Sequence, residues 1–308
     1  MQGKMLDGHA CAMLSLTTRA CWSEDLPQPL SRPMAHRMLT MGALEGLVLR
    51  DVAGIEAALM ERAQALLGRI GAVYACIEAY ERAGYRLLFP GRENWPSALG
   101  ALGAQQPLFL WAKGNLSLLT QPQIAVAGSR RIRKETWEAA HKTGEMIAKE
   151  GHVLVSGGAS GADDAAQQGA WAKNGSAILV PALPAEQLLL KKEAAKAMEE
   201  GRLLLLCDTL PDEPFSAQKA LTRNHTIYAL GSASLVVAAR EGVGGSWRGA
   251  ADCMRGGFGH VWVWEGKNAD TQGNRALEKL GAKRYTLDAP LKEQLACSRQ
   301  VSLFDEQG

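Results

Sequence analysis

The sequence predicts an α/β protein: a mainly parallel, doubly wound sheet preceded by a small helical domain. Three observations carry this. From Tyr85 onward, short apolar runs alternate with segments of helical periodicity. Several of those runs are apolar throughout, as strands covered on both faces must be. Before Tyr85, apolar residues recur at helical spacing with glycine punctuation.

The helical part is residues 1–84. It contains MAHRMLTMGALEGLVL (Met34–Leu49) and the long stretch Gly54–Gly84, with a loop at Glu24–Pro33 that holds three prolines. The sheet part is residues 85–288. Its strands are expected at YRLLF, PLFLWAKG, QIAVAG, HVLVSG, SAILVPA, RLLLLC, SLVVAA, HVWVWEG and RYTLD. Trp262 and Trp264, in HVWVWEG, read as core or sheet-face residues. Residues 289–308 read as a flexible, polar C-terminal tail.

Composition excludes several classes. The chain has 308 residues, 47% apolar and 21% charged, which is ordinary for a globular protein. A net charge of +2 is too small to attract nucleic acid or membrane in bulk, so such a partner needs a local patch. Six scattered cysteines without a C-x-x-C pair, and no H-E-x-x-H, leave a metal site without support. No apolar run reaches spanning length and the N-terminus is not a signal peptide, so a cytoplasmic location and no membrane partner are expected.

In a doubly wound sheet, ligands sit beyond the carboxyl ends of the strands. Three strand-to-helix junctions have the residues for an anion. The first is AGSRRIRKE, where Gly128 and Ser129 turn into a helix whose start carries Arg130, Arg131, Arg133 and Lys134. Cations at a helix N-terminus cost about 0.3–1 kcal/mol each. A bound phosphate reverses that sign. The second is VSGGASGADD, with Ser156, Gly157, Gly158 and Gly161; the glycines let a ligand approach the backbone. Ser160 and Asp163 fit a capping box, which gives Asp163 a structural role. The third joins Arg223 and Asn224, read as a helix start, to Arg240, Gly244, Gly245, Ser246 and Arg248. Arg130 and Arg223 are both expected to face a ligand rather than the core.

In their order, FPGRENWPSALGALGAQQPLFLWAKGNLSLL, IAVAGSR, VLVSGGASGADDAAQQGAW, TRN and GGSW resemble the DNA processing protein A family (DprA/Smf) over about residues 85–265. The resemblance implies an extended Rossmann-like sheet that binds single-stranded DNA and acts, without catalysis, as a recombination mediator beside the RecA recombinase. A homodimer and the absence of a cofactor are expected as well, while the sequence leaves the oligomeric state open. Gly128, Ser129 and Arg130 match the family's G-S-R. Ser156, Gly157, Gly161 and Asp163 match its S-G-x-A-x-G-I-D. Arg223 and Asn224 match R-N-R, and Gly245 and Ser246 match S-G-S. His225 replaces the last arginine of R-N-R, Gln167 the histidine of A-H-x-G-A, and Gly249 a threonine. The acidic residue usual after the VVV strand is absent here. Phosphates are expected along Arg130, Arg131, Arg133, Arg223, Arg240 and Arg248, with bases stacking on Trp247 or His225.

The tail holds Gln300-Val301-Ser302-Leu303-Phe304, which resembles the short peptide that docks replication and repair proteins on the sliding clamp. Gln300, Leu303 and Phe304 are its anchors. The alternative function is a small-nucleotide sensor or nucleotide hydrolase of the same superfamily. A hydrolase needs a positioned carboxylate, and Asp252 is the nearest acid to the third glycine turn.

Overall fold

The computed structural model describes residues 8–41 and 56–301. Among the described residues, four helices precede the sheet: α1 (Gly8–Thr17), α2 (Arg32–Met41), α3 (Ala57–Leu67) and α4 (Ile70–Arg82). Their apolar faces close on one another through Leu14, Leu16, Met38, Leu66, Val73 and Ile77, all fully buried. Arg69, between α3 and α4, is buried too. Its guanidinium donates to the carbonyls of Ser15, Thr18 and Ala20 and so fixes the turn after α1.

The nine strands are β1 (Arg86–Leu88), β2 (Leu110–Gly114), β3 (Gln123–Gly128), β4 (Val153–Ser156), β5 (Ala177–Leu179), β6 (Leu203–Cys207), β7 (Ala233–Ala238), β8 (Val261–Trp264) and β9 (Lys283–Tyr285). Seven fall within runs read from the sequence; β7 and β9 overlap theirs and begin one residue earlier, at Ala233 and Lys283. The order across the sheet is β1-β2-β6-β5-β4-β3-β7-β8-β9. The strands from β3 to β9 pair in parallel, including β6 with β5; β1 and β2 add an antiparallel edge. Helices cover both faces. They are α5 (Lys134–Lys149), α6 (Ala162–Ala172), α7 (Lys192–Glu199), α8 (Ala217–Leu230), α9 (Gly245–Gly256), α10 (Gln272–Lys279) and α11 (Leu291–Val301). The sheet is therefore an extended Rossmann-like one. Trp262 is buried in its core, as its run predicts.

From β3 the chain winds outward through β4, β5 and β6, then returns to β7 on the other side of β3. The strand order reverses there, so the crevice between the carboxyl ends of β3 and β7 is the topological switch point. Beside it, α5 and α6 pack backbone to backbone. A side chain at Gly144 would collide with the Ala166 carbonyl, and one at Gly169 with the His141 carbonyl.

The C-terminal segment departs from the flexible tail expected from residue 289. Leu291 is fully buried, and both carboxylate oxygens of Glu150 accept the Leu291 and Lys292 amides at 2.6 and 2.7 Å, capping α11. Gln294 closes a second contact with the Thr286 amide at 2.8 Å. The backbone at Gln300 belongs to α11 rather than to an extended peptide. Leu303 and Phe304 lie outside the described residues.

Candidate nucleic-acid interface

A cleft of about 530 Å³ lies at the switch point. Its lining includes Gly128, Ser129, Arg130 and Arg131 from the end of β3. Arg223 and Asn224 come from α8, and Arg240, Gly245, Ser246 and Arg248 from the turn between β7 and α9. Residues 128 and 248 are 120 positions apart in sequence, and only the reversal of strand order brings these turns together. Arg130, Arg131, Arg240 and Arg248 are exposed. Among the described residues none of these four is salt-bridged to a carboxylate. The one acid in the lining, Asp163, is itself buried.

The walls are held by the residues between the arginines. Ser246 donates its hydroxyl to the Gly128 carbonyl at 2.7 Å, tying α9 to the end of β3. Asn224 donates to the Gly245 carbonyl at 3.0 Å, and the buried Tyr228 hydroxyl donates to the Ser246 carbonyl at 3.0 Å. Gly244 begins α9 with φ +86° and no side-chain cap, leaving the first amides of that helix without a capping side chain at the cleft. Asn224 and Ser246, read from the sequence as ligand contacts, thus spend these polar atoms on positioning the turn.

A second depression, about 440 Å³, opens beyond the ends of β4 and β5 and contains Gly157, Gly158 and Leu183. Arg130 and Phe215 line both spaces. The Arg130 guanidinium sits over the Phe215 ring, 5.3 Å from its centroid, and the ring is 45% exposed.

Contrary to the expectation from its sequence position, Arg223 is buried rather than facing the ligand side. It lies in the middle of α8, not at its start, and is only 5% exposed. Its guanidinium fills the space above Gly157, where any side chain would strike it, and its Nε has no partner. Burial pulls its pKa down, Asp163 and Asp208 oppose that, and Arg130 adds to it. Asp163 departs from its expected role as well. The N-cap of α6 is Gly161, φ +87°, so no Ser160–Asp163 box forms. Asp163 instead accepts the Gly157 amide at 3.1 Å, and the amides of Ala159 and Gly128 also turn toward it. Burial pushes its pKa up; Arg223 and these amides counter that. One carboxylate therefore holds two glycine turns and offsets the charge of a buried cation. Asp208 extends the chain of charge, accepting Arg32 of α2 at 2.8 Å and the Thr226 hydroxyl at 3.3 Å.

The anion expected at the start of α5 is also present, but the chain supplies it. Asp270 accepts the Arg133 amide at 2.7 Å and the Thr136 hydroxyl at 2.8 Å, and its other oxygen lies 4.0 Å from the Arg133 guanidinium. Arg133 is accordingly outside the cleft lining. Ser156 is fully buried, accepting from Gln167 at 2.9 Å, and Gly161 packs beneath the Ser129–Arg130 backbone. The proposed stacking residues are elsewhere as well. His225 faces Asp252 at 3.3 Å, and Trp247 packs on the core under α9. The exposed aromatic at the cleft is Phe215, since Tyr228 in the same lining is buried. The signal of Phe215 in the sequence was a lone aromatic in the loop after an apolar strand, PDEPFSAQ.

The fold and this cleft define a Rossmann-like protein with a cationic switch-point site. The profile of the family described as DNA recombination-mediator protein A matches residues 86–295, and the chain belongs to that family. The DNA processing protein DprA of Streptococcus pneumoniae is 40% identical over 74 residues, 24% of this chain and 26% of that protein. A putative DNA processing protein DprA of Mycobacterium tuberculosis is 29% identical over 181 residues, 53% of this chain and 45% of that protein. The matched part is thus less than half the length of these curated relatives. Among solved structures, the S. pneumoniae DNA processing protein A superposes with a TM-score of 0.68 at 21% identity, covering 91% of this chain and 95% of that one. The Helicobacter pylori protein, reported for its single-stranded DNA binding mode, gives 0.56 at 23% identity over 70% of this chain and 96% of its own. Both likenesses concern the fold.

Proposed function

We propose that this chain is a recombination mediator that binds single-stranded DNA across the switch-point cleft, without chemistry. The observation that supports it most is the pairing of four exposed arginines with a lining whose one acid is buried. Arg130, Arg131, Arg240 and Arg248 contact phosphates, the first amides of α9 add neutral donors, and Phe215 offers a face to a base. Nucleotide hydrolysis is disfavoured on geometry. Asp163 is hidden behind the glycine turns, and Asp252, bonded to Arg255 at 2.7 Å and to His225, is not part of the cleft.

The test is a titration with a single-stranded oligonucleotide, its duplex and a mononucleotide at two salt concentrations. Single strands are expected to bind best, without strong sequence preference. Log affinity should fall against log salt with a slope of about −2 to −3, near −0.7 for each of three or four phosphates. Tight mononucleotide binding without oligonucleotide binding supports the nucleotide-sensor reading instead.

Further partners belong to the same proposal: a RecA-type recombinase, a second copy of the chain, and a sliding clamp reached through Gln300, Leu303 and Phe304. Sedimentation of the full chain alone and with each protein is expected to show a faster species in each case, and the clamp complex should vanish in Leu303→Ala/Phe304→Ala. Unchanged sedimentation rejects the partner concerned.

A further inference from the structure

Cys21 occupies a position that its turn would ordinarily give to glycine. The Trp22 amide donates to the Arg19 carbonyl at 3.1 Å, closing a four-residue turn with Cys21 third. Its φ is +52°, in the left-handed region that costs a side-chain-bearing residue about 1 kcal/mol or more. Three carbonyls of this stretch are gripped by the buried Arg69, so the turn is held from below. The Cys21 side chain is exposed, yet its sulfur reaches α4, donating to the Ala72 carbonyl at 3.5 Å.

Ala72 lies one turn before Cys76 on α4. Helical side chains lean toward the N-terminus of their helix, so the Cys76 sulfur sits back over the turn on which Cys21 rests. Cys21 and Tyr80, the latter one turn further along the same face of α4, both act on the Cys76 thiol at side-chain range. Cys76 is half-buried, and burial pushes its thiol up. The pair is thus one exposed sulfur in a strained turn and one sheltered sulfur against it.

We propose that Cys21 and Cys76 form a reversible modification site, a dithiol that hydrogen peroxide closes to an intramolecular disulfide between the α1–α2 turn and α4. The Cys21 sulfur attacks the peroxide O–O bond and becomes a sulfenic acid as one water leaves. The Cys76 sulfur then attacks the Cys21 sulfur. The S–S bond forms, the S–O bond breaks, and a second water leaves. Sulfur loses two electrons to the peroxide, and both thiol protons end in the waters. A thiol reductant reverses the closure by exchange.

To test this, the reduced full-length protein is treated with a small excess of hydrogen peroxide, alkylated, digested and mapped by mass spectrometry. A Cys21–Cys76 linked peptide is expected in most molecules, with two alkylatable thiols lost and both restored by dithiothreitol. In Cys76→Ser the oxidation should stop at Cys21, trapped by dimedone as its sulfenic adduct, while wild type gives little adduct. The proposal is overturned if no linked peptide appears, if Cys21 links to another cysteine or another molecule, or if wild type and Cys76→Ser give equal adduct.

Discussion

Asp163→Ala is expected to lower the stability of the protein by about 3–5 kcal/mol, because a buried cation is left uncompensated and a buried amide loses its acceptor. The buried Arg223 guanidinium loses the carboxylate that most favours its charged form, and the Gly157 amide loses its acceptor. An exposed helix cap costs only about 0.5–2 kcal/mol when lost, so the size of the effect separates the two roles. Urea unfolding of wild type and variant measures it. Combining Asp163→Ala with Arg223→Met should recover part of the loss, because replacing both charges by apolar groups removes the unpaired cation. A single-variant loss below about 1 kcal/mol, or no recovery in the pair, contradicts the buried network.

The second large effect concerns binding. Replacing Arg130, Arg131 and Arg248 together by alanine should reduce single-strand affinity by roughly two to three powers of ten at low salt. Their side chains are exposed, so the melting temperature should move by no more than about 2 °C. The salt slope should flatten by about 2, near 0.7 for each lost phosphate contact. An unchanged slope would place the strand elsewhere on the surface.

The strands were legible because parallel strands covered on both faces leave uninterrupted apolar runs, as LLLLC and ASLVVA do. Strand direction was not, since nothing local distinguishes the antiparallel β2 from its parallel neighbours. The glycine turns were legible because their requirement is local. The roles of single charged residues were not, because they depend on partners distant in sequence. Arg133 reads as a phosphate contact until Asp270 folds onto the same helix start. Arg223 reads as exposed until α8 proves buried along Arg223, Thr226, Ile227, Tyr228, Ala229 and Leu230. Asp163 has the spacing of a capping residue, and that spacing concealed a contact made to the turn before it.

The glycine contact between α5 and α6 reaches beyond packing. Each helix grows directly out of one of the two turns, Gly128–Arg131 and Gly157–Gly161, and Asp163 clasps both turns at the same end. With Gly144 and Gly169 seating one backbone against the other, the turns behave as a single jaw with few independent motions. Their conformational entropy is lost when the protein folds, before any strand arrives. On binding, the ordering cost then falls on the nucleic acid, whose flexible backbone must settle against a surface already set. Amide exchange across the two turns should therefore be slow in the unbound protein and change little when the cleft fills.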